Sequence, residues 1–304
     1  VTYRVVHRTR YRYDSVVSAS YGEAHLHPRD LRGQQTYVAT LHVDPFPEHR
    51  RERRDYFGNR VVHFTVLEPH EELTVTATSL VDVHDRRALL PAVGSRGWDA
   101  IVADLRADDR TDVLEARQFV LESPAVPTSS AALAYVSRSF APGRPLVEAL
   151  SDLAQRLHRD FAFAPGATTV STPVDEVLER RAGVCQDFAH VTIAGLRGLG
   201  LAARYVSGYL ETLPPEGAER LVGADVSHAW VSVFVPGVGW IDLDPTNDQF
   251  VNDRYVTVAW GRDYTDVPPL KGVIFTESDA QDLEVTVDVV PVAEDDPDLV
   301  VVAR

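Results

Sequence analysis

Along the first 85 residues the hydrophobic positions alternate. Tyr3, Val5 and His7 interleave with Arg4, Val6 and Arg8, and Tyr11 and Tyr13 continue the period of two. Leu73, Val75 and Ala77 interleave with Thr74, Thr76 and Thr78 in the same way. Between them lie two β-branched or aromatic runs, Tyr37 to Val43 and Val61 to Leu67, the second preceded by the turn signal Phe57-Gly58-Asn59. A period of two sends successive side chains to opposite faces of a strand. Short strands separated by turn residues predict a β-sandwich-like domain over 1–85.

The period then changes to three and four. Over 86–145 the pattern predicts short connecting helices: one capped by Asp99 and running to Leu105, one capped by Thr111 with Val113, Leu114, Arg117 and Leu121, and one from Ser129 to Phe140. Leu146, Leu150, Leu153, Ala154 and Leu157 form the stripe of a helix packed on one face. Thr172-Pro173-Val174-Asp175 reads as an N-cap with proline and an acid in the first turn. A further helix is predicted from about Cys185 to Leu199. Strands are predicted at Ala203–Leu210, Val226–Val235, Trp240–Leu243 and Tyr255–Trp260. Residues 146–275 therefore read as a core of helices packed on an antiparallel sheet. Residues 276–304 read as a C-terminal strand, alternating from Leu283 to Pro291, and a solvated acidic tail at Glu294 to Asp298. The fold class is α+β.

Composition narrows the function classes. The 304 residues carry a net charge of −15, which argues against a nucleic-acid partner held by phosphate neutralisation. No apolar run reaches the length of a membrane span, and the opening VTYRVVHRTR has no apolar signal segment. With one cysteine, Cys185, neither an internal disulfide nor a multi-cysteine zinc site can form, and a cytoplasmic location is expected. The histidines of the β region (His25, His27, His42, His49, His63, His70, His84) show no ligand spacing, so no metal or cofactor is expected. Residues 1–60 hold 11 arginines against 7 acidic residues, and the remainder is strongly acidic. That asymmetry suggests either attraction between the halves or a mixed solvated surface.

The candidate chemistry sits in three segments: Arg181 to His190, Asp225 to Trp230, and Gly239 to Asn247. Gly183 permits a sharp turn into a helix whose first turn carries Cys185, where unpaired N–H groups and the helix dipole favour a thiolate and can hold an oxyanion. The competing reading is that a lone cysteine is a small buried hydrophobe. His228 lies on a strand face with Trp230, Ser232 and Phe234, and Asp244 ends the next strand before Pro245. If the intervening turn has an even number of residues, His228 opposes Asn247 and Asp244 points to the other face. An odd turn or a bulge brings Asp244 onto the face of His228 as a diagonal neighbour, and Gly237 and Gly239 suit that case. Asp242 shares the face of Asp244 and is its rival as third member. Asp187 reads as a capping carboxylate, and His190 faces away from Cys185.

These segments resemble the bacterial transglutaminase-like family of the papain-like cysteine enzyme superfamily. The likeness rests on Gly183-Val184-Cys185-Gln186-Asp187-Phe188-Ala189-His190, Ser227-His228-Ala229-Trp230 and Gly239-Trp240-Ile241-Asp242-Leu243-Asp244-Pro245-Thr246-Asn247 in that order. It extends to Ala203–Tyr209, to Gly261–Pro269, and to Tyr11-Arg12-Tyr13-Asp14 and Asp55–Arg60 in the β region, so it covers roughly 1–275. It implies a transglutaminase-like catalytic core at 146–275, with Cys185 as nucleophile, His228 as base and Asp244 as orienter. It also implies acyl transfer or amide hydrolysis on peptide-like substrates, with a primary amine as acceptor in the transfer case. Cleavage of peptide bonds by the same residues, and a non-catalytic binding module on the same scaffold, are the alternatives.

Overall fold

The computed structural model describes residues 1–212, 226–277 and 280–293; the acidic run from Glu294 lies outside them, as does Asp225. The alternating segments form two four-stranded antiparallel sheets. One has the order Gln281–Pro291, Thr2–Val17, His70–Val83, Gln34–Asp44, and the other Leu270–Phe275, Ala19–Ala24, Arg60–Val66, His49–Arg54. Tyr13, Val43, Phe64, Val66, Leu73 and Val75 belong to one buried cluster that draws on both sheets. Two strands come from the far end of the chain. Leu270–Phe275 pairs with Ala19–Ala24, and Gln281–Pro291 pairs with Thr2–Val17, so residues on either side of position 276 complete the N-terminal sheets.

The helical stretch differs from expectation at its caps. Its first full helix is Trp98–Ala107, so Asp99 lies inside the first turn, where its carboxylate accepts from the N–H groups of Ala100 and Gly143. Thr111 is the first helical residue of Thr111–Arg117 rather than its cap, and a 3-10 turn over Gln118–Val120 leaves Leu121 exposed beyond it. Ser129 does cap Ser130–Ser137, accepting from the Ala132 N–H at 2.9 Å. Pro173, not Thr172, precedes Val174–Arg180; the Thr172 hydroxyl accepts from the Thr169 N–H and tightens the preceding turn. The leucine stripe becomes the helix Leu146–Asp160, with Leu150, Leu153 and Leu157 fully buried. Each such side chain is worth about 1.5–3 kcal/mol on removal from water.

The core sheet has five antiparallel strands in the order Gln249–Phe250, Gly239–Asp244, Val226–Val235, Ala203–Leu210, Tyr255–Gly261. One face, with Ala229, Val231, Val233, Ile241 and Leu243, shares a buried cluster with the helix Cys185–Gly198. Among the described residues no helix is long and apolar enough to cross a membrane.

The N-terminal sheets grip the core through the strand Tyr255–Gly261. The Gln34 amide brackets Thr257, accepting from its N–H and donating to its C=O, both at 2.7 Å. These contacts fall where the strand shifts register between Thr257 and Ala259. Asn59, fully buried, does the same at Trp260, donating to its C=O at 2.9 Å and accepting from its N–H at 3.0 Å. Asp55 holds Asn59 from behind, and Gly58 turns the chain at φ +75°.

The helix Cys185–Gly198 reaches its position because Gly195 has no side chain. A Cβ there would lie 2.2 Å from Val136 Cγ2 and 2.8 Å from the Ala132 carbonyl. Helix propensity alone would make Gly195→Ala stabilising by about 1 kcal/mol. The backbone carbonyl cannot step aside, so overpacking wins. Gly195→Ala is expected to destabilise by about 1–3 kcal/mol in urea unfolding, and a stabilised variant would contradict this packing.

Candidate active site

Cys185 is the first residue of its helix and is partly exposed. Val184 before it is extended, and Asp187 in the first turn accepts from the Val184 N–H at 2.8 Å. The Thr168 hydroxyl donates to the same carboxylate at 2.6 Å. Burial holds the Asp187 carboxyl above its ordinary value, against both hydrogen bonds. Gly183 is required because a Cβ at that position would meet Asp187 Oδ2 at 2.6 Å. The glycine and the aspartate of this motif are therefore two sides of one turn that delivers the thiol. The first N–H groups of a helix have no intrahelical acceptor and point toward its entrance, which is where Cys185 stands.

The strand Val226–Val235 and the strand Gly239–Asp244 are joined by a three-residue turn, with Val235 paired to Gly239 and Val231 to Leu243. Gly237 and Gly239 both have positive φ, at +83° and +106°. The odd turn carries Asp244 onto the face of His228. His228 Nε2 donates to Asp244 Oδ2 at 2.7 Å, and Cys185 is near enough to the imidazole to act on its charge. The sequence-predicted residues Cys185, His228 and Asp244 are thus brought together.

Asp244 is fully buried and accepts from five groups. Besides His228, Tyr255 Oη and Asn247 Nδ2 donate to Oδ2, each at 2.7 Å, and the N–H groups of Thr246 and Asn247 donate to Oδ1 at 2.9 and 3.2 Å. Burial pushes the Asp244 carboxyl up, but the His228 charge and these hydrogen bonds outweigh it and hold the group below its ordinary value. Burial likewise works against a charged His228, and Asp244 and then Cys185 overcome it, so the imidazole is pushed up to about 10. The ring stays protonated through neutral pH. Gln249 Nε2 donates to the Tyr255 oxygen at 2.8 Å and completes the chain Gln249–Tyr255–Asp244–His228.

Two of these partners, Tyr255 and Asn247, were not singled out from the sequence. The signal for Asn247 was its place three residues after an aspartate at a strand end, a common Asx-turn arrangement. Nothing local announced Tyr255, which arrives from a strand paired with Ala203–Leu210. Asp242 is not part of this group: its Oδ2 meets Arg86 Nη1 at 2.8 Å, and both side chains are largely buried. His190 turns away from the thiol and accepts from the Tyr264 N–H, with burial pushing its imidazole down to about 4.

Known proteins resemble this chain along most of its length. The bacterial transglutaminase-like N-terminal region matches residues 3–82, and the transglutaminase-like superfamily core matches 134–245. An uncharacterized protein of Mycobacterium tuberculosis (strain ATCC 25618 / H37Rv) is 47% identical over 296 residues, covering 95% of this chain and 92% of its own length. A protein-glutamine gamma-glutamyltransferase of Pseudomonas aeruginosa is 32% identical over 152 residues, covering 49% of this chain and 22% of its own. The crystal structure of a candidate cysteine protease from Cytophaga hutchinsonii superposes with a TM-score of 0.70 at 21% identity, over 97% of this chain and 94% of that one, so the fold is shared nearly end to end. The chain belongs to the bacterial transglutaminase-like family.

Proposed function

We propose that the protein breaks amide bonds of peptide-like substrates through a thioester on Cys185, passing the acyl group to a primary amine or to water. The observation that carries this reading is the buried Asp244 bonded to one nitrogen of His228, with Cys185 near enough to act on the same ring. Nucleophile, base and orienter in that contact order are the minimum for covalent acyl transfer.

The Cys185 sulfur attacks the amide carbon, and the carbonyl oxygen takes the negative charge. N–H groups at the helix start are the donors suited to it. The His228 imidazolium gives its proton to the departing nitrogen, the C–N bond breaks, and the acyl group remains on sulfur. The incoming amine or water gives a proton to the now neutral His228 as its lone pair attacks the thioester carbon. Thiolate and imidazolium are restored when the C–S bond breaks. Asp244 holds the ring in place and stabilises its positive charge through both halves.

The half-chain likeness to a glutamyltransferase favours glutaminyl amides as donors. Exposed Phe163 and Val170 support a peptide-like donor: Phe163 pairs with Gly183, and the Val170 carbonyl accepts from Gln186, so both border the nucleophile turn. The sequence holds one lysine, Lys271, paired with Glu23 at 3.0 Å on the N-terminal sheets, which makes the chain a poor source of lysine acceptors and favours another molecule in that role.

The test offers a glutamine-containing peptide with and without a fluorescent primary amine. Ammonia release is expected, with label incorporated if the acyl group is transferred and absent if it is hydrolysed. Cys185→Ala should abolish turnover, and His228→Ala should lower it by roughly 10³- to 10⁴-fold. Cleavage of the peptide backbone instead would identify a protease. Equal behaviour of wild type and Cys185→Ala in every arm would reduce the protein to a binding module.

The electrostatics make a separate prediction. His228 titrates at about 10 in the folded protein and near 6.5 when unfolded, so its pairing stabilises fully below about pH 6.5 and is lost as pH rises through about 10. The stability gap between wild type and His228→Asn should therefore shrink from about pH 6 to about pH 10 in denaturant titrations. A gap that stays constant across that range would contradict a charged His228.

A further inference from the structure

Farther along the sheet, the face that carries His228 holds a second cluster that the chemistry above does not use. Arg204 pairs with Ser232, and Ser232 with Asp242, roughly 13 Å along the strands from His228 at the usual strand rise. The Arg204 guanidinium lies between two indoles, 3.9 Å from the centre of Trp240 and 3.7 Å from that of Trp260. Arg29 stacks on Trp260 as well, at 3.4 Å, and two guanidinium groups this close to one ring occupy its opposite faces.

Arg204 is only 6% exposed, yet among the described residues no oxygen accepts a hydrogen bond from it. Its Nε is enclosed without a partner, and so are Arg86 Nε and Asp242 Oδ1. A guanidinium carries five donors, and burying it unpaired is costly. The one carboxylate in the cluster, Asp242, is already engaged by Arg86.

Two cavities share the Trp240–Arg204–Trp260 wall. The larger, about 670 Å³, also has Asp112 and Glu115 in its lining, and these offset its arginines. The smaller, about 270 Å³, has Arg32, Arg86 and Arg204 against Asp242 alone, a clear excess of positive charge. Apart from Thr257, whose hydroxyl accepts from Arg86, the rest of its wall is apolar, with Leu31, Leu89, Val206 and Val238 beside the two indoles. A planar fork of donors at the end of an apolar slot matches a carboxylate on an apolar body.

We infer that this smaller cavity is a binding site for a small organic carboxylate, whose charge is met by Arg204 and Arg86 and whose body packs between Leu31, Leu89 and the indoles. Arg32, exposed at the cavity, adds long-range attraction. The site stands whether or not Cys185 is catalytic.

Phenylacetate, its neutral isostere phenylacetamide, inorganic phosphate and the tripeptide Gly-Gly-Phe serve as probes in calorimetric titrations of the full chain. Phenylacetate is expected to bind saturably at one site with a change in tryptophan fluorescence, and phenylacetamide at least 10-fold more weakly. Arg204→Met should abolish binding. Arg32→Ala, at an exposed position where folding is not in question, should weaken it several-fold and lower its salt dependence. Equal binding of the acid and the amide would overturn the proposal, as would phosphate binding without phenylacetate, or binding of the tripeptide alone. An affinity unchanged in Arg32→Ala and in folded Arg204→Met would do the same. If Arg204→Met does not fold, the acid–amide comparison and Arg32→Ala decide between these outcomes.

Discussion

A carboxylate with no exposed surface is the constraint around which this molecule is arranged. Removing an ionised Asp244 from water costs several kcal/mol unless its lone pairs are met. Five donors meet them, and each one fixes a different part of the fold. The His228 bond requires the odd turn at 236–238, because an even one would send Asp244 to the far side of the sheet. The N–H groups of Thr246 and Asn247 require the chain to fold back directly after Pro245. The Tyr255 hydroxyl requires a strand three places away to be held at one height.

That last requirement gives the N-terminal sheets a structural role in the site. Tyr255 belongs to the strand Tyr255–Gly261, and Gln34 and Asn59 each pair with both backbone groups of one residue on it. A side-chain amide bonded to both N–H and C=O fixes height and direction together, which a single contact does not. The bonded positions Thr257 and Trp260 flank the register shift, so the irregular part of the strand is the clamped part. These joints are neutral. Of the arginines in the first 60 residues, Arg12 lies 3.8 Å from Asp282 on the strand Gln281–Pro291. Arg10, Arg53 and Arg60 find their acids within the N-terminal sheets, while Arg29 reaches the core by stacking on Trp260.

Much of this was legible in the sequence where the determining contacts are local. The leucine stripe of Leu146–Asp160 and the alternation of Thr2–Val17 report burial directly, and both elements form where the periods place them. The nearness of Asp244 to His228 was readable because one hairpin connects them, and two glycines announced its turn. What escaped was non-local or conformational. The pairing of Gln281–Pro291 with Thr2–Val17 joins opposite ends of the chain, and no periodicity says which edge a strand will meet. Tyr255 looked like any aromatic strand residue. Thr172 and Thr111 failed as caps because a cap depends on the backbone angle at one residue, which composition only weakly constrains.

The choice between Asp242 and Asp244 shows what decides a role when pattern does not. Both lie on one strand, two residues apart and on one face, with Asp244 buried and Asp242 largely so, each beside a basic group. Asp242 is met by Arg86, a group that stays protonated at any working pH. That pair is fixed in charge and exchanges no proton. Asp244 is met by an imidazole, whose proton can leave and return. Exchanging the two partners would leave the strand and the face unchanged, yet it would move the imidazole–carboxylate pair away from the thiol. The chemistry of the strand therefore follows from what the neighbouring elements bring to each carboxylate: Arg86 from the segment after the N-terminal sheets, and His228 from across the hairpin.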